Sequence, residues 1–320
     1  MIPKRIISSG KVSGSRGVFS GGQNAGGIID DLEFIEISTT GNATNFGAIY
    51  LVRYFHGATS NGVNDRGVFG GGFRPTSSTD SIVFTELSLS STYAYTFGTL
   101  SAPRAGVAAC SNGTNNRGIF GGGAGGTTAN NNIDYITISS TGSATNFGNL
   151  SLARLFLGST SNGTNNRGIF GGGSGDTSFS SSYNTIDYIT ITSTGNASDF
   201  GDLSVARAAI SSTSNGTNNR GIFGGGTVYP TAYNTIDYIT ITSTGNASDF
   251  GDLSVIARYG VSATSSGTNN RGVFGGGFKV VAPATLYNII DYVTITSTGN
   301  ATDFGDLTSA KYGVAATSNS

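Results

Sequence analysis

From residue 186 the chain reads Ile-Asp-Tyr-Ile-Thr-Ile-Thr, apolar or aromatic on both phases of a two-residue period. Ile186 and Tyr188 face one way, Ile189 and Ile191 the other. A sheet with one wet face alternates cleanly, so the pattern predicts a strand covered on both sides. Three more strand-like pieces surround a later copy, within residues 257–308. Tyr259 to Thr264 is short and built of small residues. Arg271 to Gly276 is a second piece ending in glycines. Ile290 to Thr296 is the two-faced strand, and Ala301 to Leu307 is the fourth piece. Turn chemistry separates them: Ser266-Gly267-Thr268-Asn269-Asn270 and Thr298-Gly299-Asn300.

The set recurs through the chain. Arg-Gly-[Val/Ile]-Phe followed by a Gly pair begins at Arg16, Arg66, Arg117, Arg167, Arg220 and Arg271, at spacings of 50, 51, 50, 53 and 51 residues. A Phe-Gly marker comes next at Phe46, Phe97, Phe147, Phe200, Phe250 and Phe304. The next segment opens at Arg53, Arg104, Arg154, Arg207, Arg258 and Lys311. The units are 16–65, 66–116, 117–166, 167–219, 220–270 and 271–320. Four short strands per unit predict an all-β fold, a six-bladed β-propeller with four antiparallel strands per blade. A β-solenoid is the alternative, although its coils usually run to only about 20–30 residues. The glycines ending the second strand fit crowding near a central axis.

A propeller removes exposed strand edges by closing on itself. The chain ends in inner-strand sequence, Tyr312 to Thr317, cut where the hairpin turn would begin. Its continuation stands at the other end, Arg16 to Phe19. Residues 312–317 are therefore expected to pair with 16–20, with Ile6-Ile7-Ser8 as the competing occupant. Residues 1–15 would then form an N-terminal arm, free to dock on a partner.

Composition narrows the function. Gly is 51 of 320 residues, charged residues are 11% and Trp is absent. So much glycine argues against a helical bundle, at about 1 kcal/mol per helix-interior site. Seventeen basic against 18 acidic residues gives no electrostatic footprint for nucleic acid. Cys110 has no partner for a disulfide. No apolar run reaches signal-peptide or membrane-span length, so neither ordinary export nor membrane insertion is expected. Yet the Gly-, Ser-, Thr- and Asn-rich surface vocabulary is that of an extracellular protein. A virion component, made in a host cytoplasm and released by lysis, reconciles the two, and a specialised secretion route would also do so.

One set of markers, Gly224-Gly225, Tyr238, Phe250 and Arg258, resembles the kelch motif, with Phe in place of the motif's Trp. The likeness covers residues 16–311. Longer strings, such as Ile-Asp-Tyr-Ile-Thr-Ile-Thr-Ser-Thr-Gly-Asn-Ala-Ser-Asp-Phe-Gly-Asp-Leu from Ile186, resemble repeat proteins of tailed, particularly marine, bacteriophages. The resemblance implies a propeller in a phage tail, fibre or other appendage, with other virion proteins as partners.

Catalytic chemistry finds little material. His56 and Cys110 are the only residues of their kind and fall at inner-strand positions, so neither a metal site nor a Ser-His-Asp or Cys-His site is expected. No catalytic residue, cofactor or metal ligand is assigned. Asp134, Asp187, Asp237 and Asp291 recur in the third strand, which suits pairing with a repeated Arg. Arg66, Arg117, Arg167, Arg220 and Arg271, with Phe200, Phe250 and Phe304, read as structural repeat positions. Gly172-Gly173-Ser174-Gly175-Asp176 is faintly like a calcium-binding repeat.

The informative contrast lies between constant and variable loops. The first-to-second and third-to-fourth turns are near copies, and should share one side of the disc. The second-to-third loops differ, carrying Phe73, Arg74, Phe179, Tyr183, Tyr229, Tyr233, Phe278 and Tyr287. Loops on a rigid scaffold concentrate binding residues, and aromatics among hydroxyls and amides suit sugar rings. The sequence thus points to a non-enzymatic virion propeller that recognises a host-surface glycan through this face. A structural or decoration subunit, open to oligomerisation, is the first alternative. A glycan-active hydrolase, which would need two carboxylates about 5–9.5 Å apart, is the second.

Overall fold

A computed structural model describes residues 15–62, 64–113, 116–163, 166–216, 219–254, 256–267, 269–279 and 282–319. The arm predicted over 1–15 lies, apart from Ser15, outside the described residues. Six blades of four antiparallel strands succeed one another around a central axis, and the first blade's sheet gains a fifth, parallel strand, Thr92–Tyr93. The fourth blade is representative. Its inner strand Gly158–Thr160 pairs with Arg167–Gly171, which pairs with Thr185–Thr190, which pairs with the outer strand Ser198–Asp202. The described residues contain no helix.

Closure takes the expected route. Ala315–Ser318 is the inner strand of the first blade and pairs antiparallel with Arg16–Ser20, placing Ser20 opposite Ala315 and Gly17 opposite Ser318. The slot is therefore filled by the C-terminal strand.

The core lies between blades. Each of the six seams holds one apolar cluster drawn from both neighbours. Phe19, Phe69, Phe120, Phe170, Phe223 and Phe274, one per second strand, are fully buried, each contributing about 1.5–3 kcal/mol of burial. These rings explain the glycine that ends the second strand. A Cβ on Gly171 would lie 2.7 Å from the Phe223 ring of the next blade. The crowding therefore comes from the adjacent sheet, rather than from the axis as the sequence suggested. The glycine of the Phe-Gly marker has a related cause. Gly201 has φ of +146°, and a Cβ there would lie 2.4 Å from the Gly245 carbonyl oxygen, in the third-to-fourth turn of the next blade. That turn covers the outer strand: the Gly245 N–H donates to Phe200 O at 2.7 Å, and the Ala247 N–H to Asp202 O at 2.7 Å.

Two arginine series tie the seams. Arg66, Arg117, Arg167, Arg220 and Arg271 lie over the rings of Phe84, Tyr135, Tyr188, Tyr238 and Tyr292, 4.5–4.8 Å from the centroids. Each donates to a carbonyl just past the third strand of the neighbouring blade, as Arg167 does to Ile241 O at 2.9 Å. Phe200, Phe250 and Phe304 are buried in the seam clusters. The second series is wholly buried. Arg104, Arg154, Arg207 and Arg258 pair with Asp134, Asp187, Asp237 and Asp291 at 2.7–2.9 Å, and Lys311 pairs with Glu33. A hydroxyl from the preceding blade joins the carboxylate, as Ser151 Oγ does with Asp187 at 2.6 Å. The second blade departs from this rule. Val83 stands where the acid belongs and Tyr50 where the serine belongs, so Arg53 is held only by Gly71 O, Ser81 O and a long contact to Ser81 Oγ.

Candidate functional site: an aromatic cup on one face

The linkers from each outer strand to the next inner strand share a face with the second-to-third loops. Two residues beyond each buried Arg or Lys stand Phe55, Gly106, Phe156, Ala209, Gly260 and Gly313. All six have a left-handed backbone, with φ between 51° and 70°. The N–H of each donates to the carbonyl of its counterpart in the preceding blade, at 2.7–2.9 Å, and the Phe55 N–H to Gly313 O completes the circuit. This ring of six backbone hydrogen bonds crosses the axis as a floor. Four of its members have hydrogen or methyl side chains. Phe55 and Phe156 do not, and their rings meet with centroids 4.6 Å apart.

Above the floor lies a cavity of about 470 Å³. Tyr54, Phe55, Phe73, Phe156, Phe179, Tyr259 and Tyr312 line it, with Ser78, Leu155 and Thr177 between them. On the side of the third blade the lining shrinks to Ala105, Ala124, Gly126 and Thr127. The cup is thus the space left where one sector lacks bulk. The seven rings and Phe278 form one connected network, with centroids 4.6–6.4 Å apart and edge-to-face or tilted, the geometry aromatic quadrupoles favour. Burial raises the hydroxyl pKa of Tyr54, and those of Tyr259 and Tyr312 to about 12. These hydroxyls therefore stay protonated and can donate. Tyr312 already donates to Gln23 Oε1 at 3.0 Å.

The eight loop residues singled out in the sequence divide. Phe73 and Phe179 line the cup, and Phe278 packs against Tyr259 and Tyr312. Arg74, half-buried beside Phe73, donates its backbone N–H to Ser77 O. Tyr229 is 58% exposed and outside the cup lining. Tyr183, Tyr233 and Tyr287 occupy a repeated joint instead. The N–H of each donates to the carbonyl of the third glycine after the second-strand Phe of its own blade (Gly173, Gly226 or Gly277), and its carbonyl accepts from the backbone N–H of Arg207, Arg258 or Lys311. Sequence reasoning missed Tyr54, Phe55, Phe156, Tyr259 and Tyr312. All five lie within two residues after the Arg or Lys marker, and comparing those two positions across the six units would have exposed them.

Other candidate sites fill internally. The Asp176 carboxylate accepts from the backbone N–H groups of Ser178, Ser180 and Ser181 and from the hydroxyls of Ser178 and Ser180. These hydrogen bonds hold it well below the usual carboxylate range. Among the described residues no group of three or more His, Cys, Asp or Glu is placed to hold a metal ion. Cys110 is buried, which pushes its thiol up to about 12.

His56 is buried with Ser20 Oγ 2.7 Å from its Nε2. Burial, then the nearby Arg53 charge, lowers its pKa well below 6.5. The native imidazole therefore stays neutral while the unfolded one protonates. Its contribution is present above about pH 6.5 and is lost as pH falls towards the folded pKa. Denaturant titrations from pH 7 to 5 should show stability falling by up to ~1.4 kcal/mol per pH unit from this group. His56→Val, the residue at Val107, Val261 and Val314, should flatten that limb. An unchanged slope in the variant would contradict the assignment.

No family model matches the chain, and no curated protein matches it. The kelch and phage likenesses draw no support from these comparisons. Among the described residues no helix is long and apolar enough to cross a membrane.

Proposed function

We propose that this propeller is a non-enzymatic recognition module of a virion appendage, holding a sugar unit of a host-surface glycan in the aromatic cup. The observation that carries the reading is backbone strain at the cup. Phe55, Phe156 and Phe179 all have a left-handed backbone, at φ of 51°, 59° and 61°. Bulky residues rarely adopt it, and the strain costs on the order of 1 kcal/mol or more at each position. At the first two positions the other four units carry Gly or Ala. Strain kept where a smaller residue would fit favours a role for the rings themselves.

The lining supports the ligand class. Ring faces stack on the C–H faces of a pyranose, while Tyr, Ser and Thr hydroxyls reach its rim. The volume lies within the roughly 300–1,000 Å³ of small-molecule sites. The lining residues include no carboxylate, and a glycosidase would need two, so binding fits better than hydrolysis. The virion assignment rests on the likeness of the repeat strings.

An array of bacterial surface glycans tests the proposal, with the wild type expected to bind at least one. Phe156→Gly installs the residue found at Gly106, Gly260 and Gly313. It should hold stability within about 1 kcal/mol, as relieved strain offsets lost ring contacts. The same change should weaken glycan binding at least tenfold. A silent array, or binding indifferent to Phe156→Gly and Phe179→Ser, would refute the reading.

A further inference from the structure

We propose that Tyr229 forms a second sugar subsite at the lip of the cup, so that the ligand is a chain of at least two sugar units rather than a lone terminal sugar. This inference rests on the cup reading and extends it outwards.

The fifth sector shows how the subsite is built. Its linker residues after Arg207 are Ala208 and Ala209, which bring no ring to the cup. Phe179, from the loop of the fourth blade, covers that sector instead. Its ring lies 4.9 Å from that of Phe156 on one side and 5.4 Å from that of Tyr259 on the other. The fifth blade's own second-to-third loop is tied to the same place. Thr227–Val228 pairs with Thr231–Ala232 in a short hairpin, with Tyr229 and Pro230 at its turn. Thr227 and Ala208 exchange backbone hydrogen bonds at 2.8 and 2.9 Å. The Tyr229 N–H donates to Phe179 O at 3.4 Å, and Ser182 Oγ donates to Thr227 O at 3.4 Å. Tyr229 is thus joined through its backbone to a residue that walls the cup, while its side chain stays mostly exposed. Burial, then the phenols of Tyr312 and Tyr229, raises the Tyr259 pKa, which places the Tyr229 hydroxyl near a second lining residue.

Neither the turn nor the packing accounts for a tyrosine here. The first blade closes a hairpin of the same length, Gln23–Asn24 with Gly27–Ile28, through Ala25 and Gly26. The Tyr229 ring takes no part in the network of stacked rings around Tyr259. What it offers is a flat apolar face for the C–H face of a further pyranose and a hydroxyl for its rim. With only two side-chain torsions, ordering it on a ligand costs little.

Saturation-transfer NMR tests the subsite, because the two rings of a disaccharide give separate signals. The probes are cellobiose, maltose, lactose and chitobiose. With at least one of them the wild type should saturate both rings. Tyr229→Ser should lower the signal of one ring relative to the other at least threefold. Phe156→Gly should dim both rings together, since the cup holds the first unit. Wild-type saturation confined to one ring leaves the cup reading standing and overturns this proposal. So does a Tyr229→Ser protein with an unchanged ratio between the rings, since Tyr229 would then only brace the wall formed by Phe179. Saturation of neither ring with any of the four probes overturns it too, whereas the cup reading is then decided by the glycan array.

Discussion

A chain stopped after Lys311 is expected to lose cooperative folding altogether. The missing segment supplies the whole inner strand of the first blade, four residues paired with Gly17 to Ser20. It also carries Gly313, which takes part in two of the six hydrogen bonds of the floor, and Val314, part of the seam between the last and first blades. The remainder is an open arc with a bare edge strand and a half-covered seam, the situation that leads to aggregation. Against a net stability of about 5–15 kcal/mol for a folded domain, the loss of one strand and one seam is decisive. We expect low soluble yield and no sigmoidal thermal transition. A circular permutant isolates the cause. Joining Asn319 to Arg16 through Gly-Thr-Asn-Asn and opening the chain in the equivalent turn after Gly216 keeps every strand, and should melt within a few degrees of the wild type. A truncated chain that melted at the wild-type temperature would show that ring closure is not what holds the fold.

That closure could be read from the sequence because the C-terminal residues repeat an inner strand and stop where the turn begins. The strands were legible for a similar reason: six copies average out local ambiguity, and the two-faced pattern around Ile186 fits only a sheet covered on both sides. The cup was legible in part. Phe73 and Phe179 in the lining, and Phe278 packed against it, stand out because they sit in loops that vary in length. Tyr54, Phe55, Phe156, Tyr259 and Tyr312 did not, because they vary at a fixed distance from a constant marker, where substitution is easily taken for drift. Tyr183, Tyr233 and Tyr287 lie in variable loops too but recur before the same strand, and that recurrence reflects a backbone joint. The ring of six hydrogen bonds could not be read at all, since Phe, Ala and Gly at its positions share only a backbone angle.

The buried ion pairs set the second large expectation. Asp237→Val copies the residue that the second blade carries at Val83, and it should destabilise the protein by about 3–5 kcal/mol. Arg207 and Asp237 are both fully buried, 2.9 Å apart. Removing the acid leaves a guanidinium bonded only to carbonyls, among them Gly225 O at 2.8 Å and Phe223 O at 3.3 Å, and breaks the tie across the seam in which the Ser204 hydroxyl donates to Asp237 at 2.6 Å. Arg53 shows the effect on the charge: burial, together with the charge of Arg74, lowers its pKa to about 10. The second blade has Tyr50 in place of the serine, so it has no such cross-seam tie to lose, whereas the network of the fifth blade would lose both the ion pair and the tie. In urea titrations the midpoint should fall sharply at unchanged m-value. The double variant Arg207→Met/Asp237→Val should recover most of the loss, because exchanging a buried pair for apolar side chains of similar volume is often neutral or stabilising. A single variant costing 1 kcal/mol or less would mean that the carbonyls alone hold these arginines, and that the carboxylates serve mainly to bind the serine of the neighbouring blade.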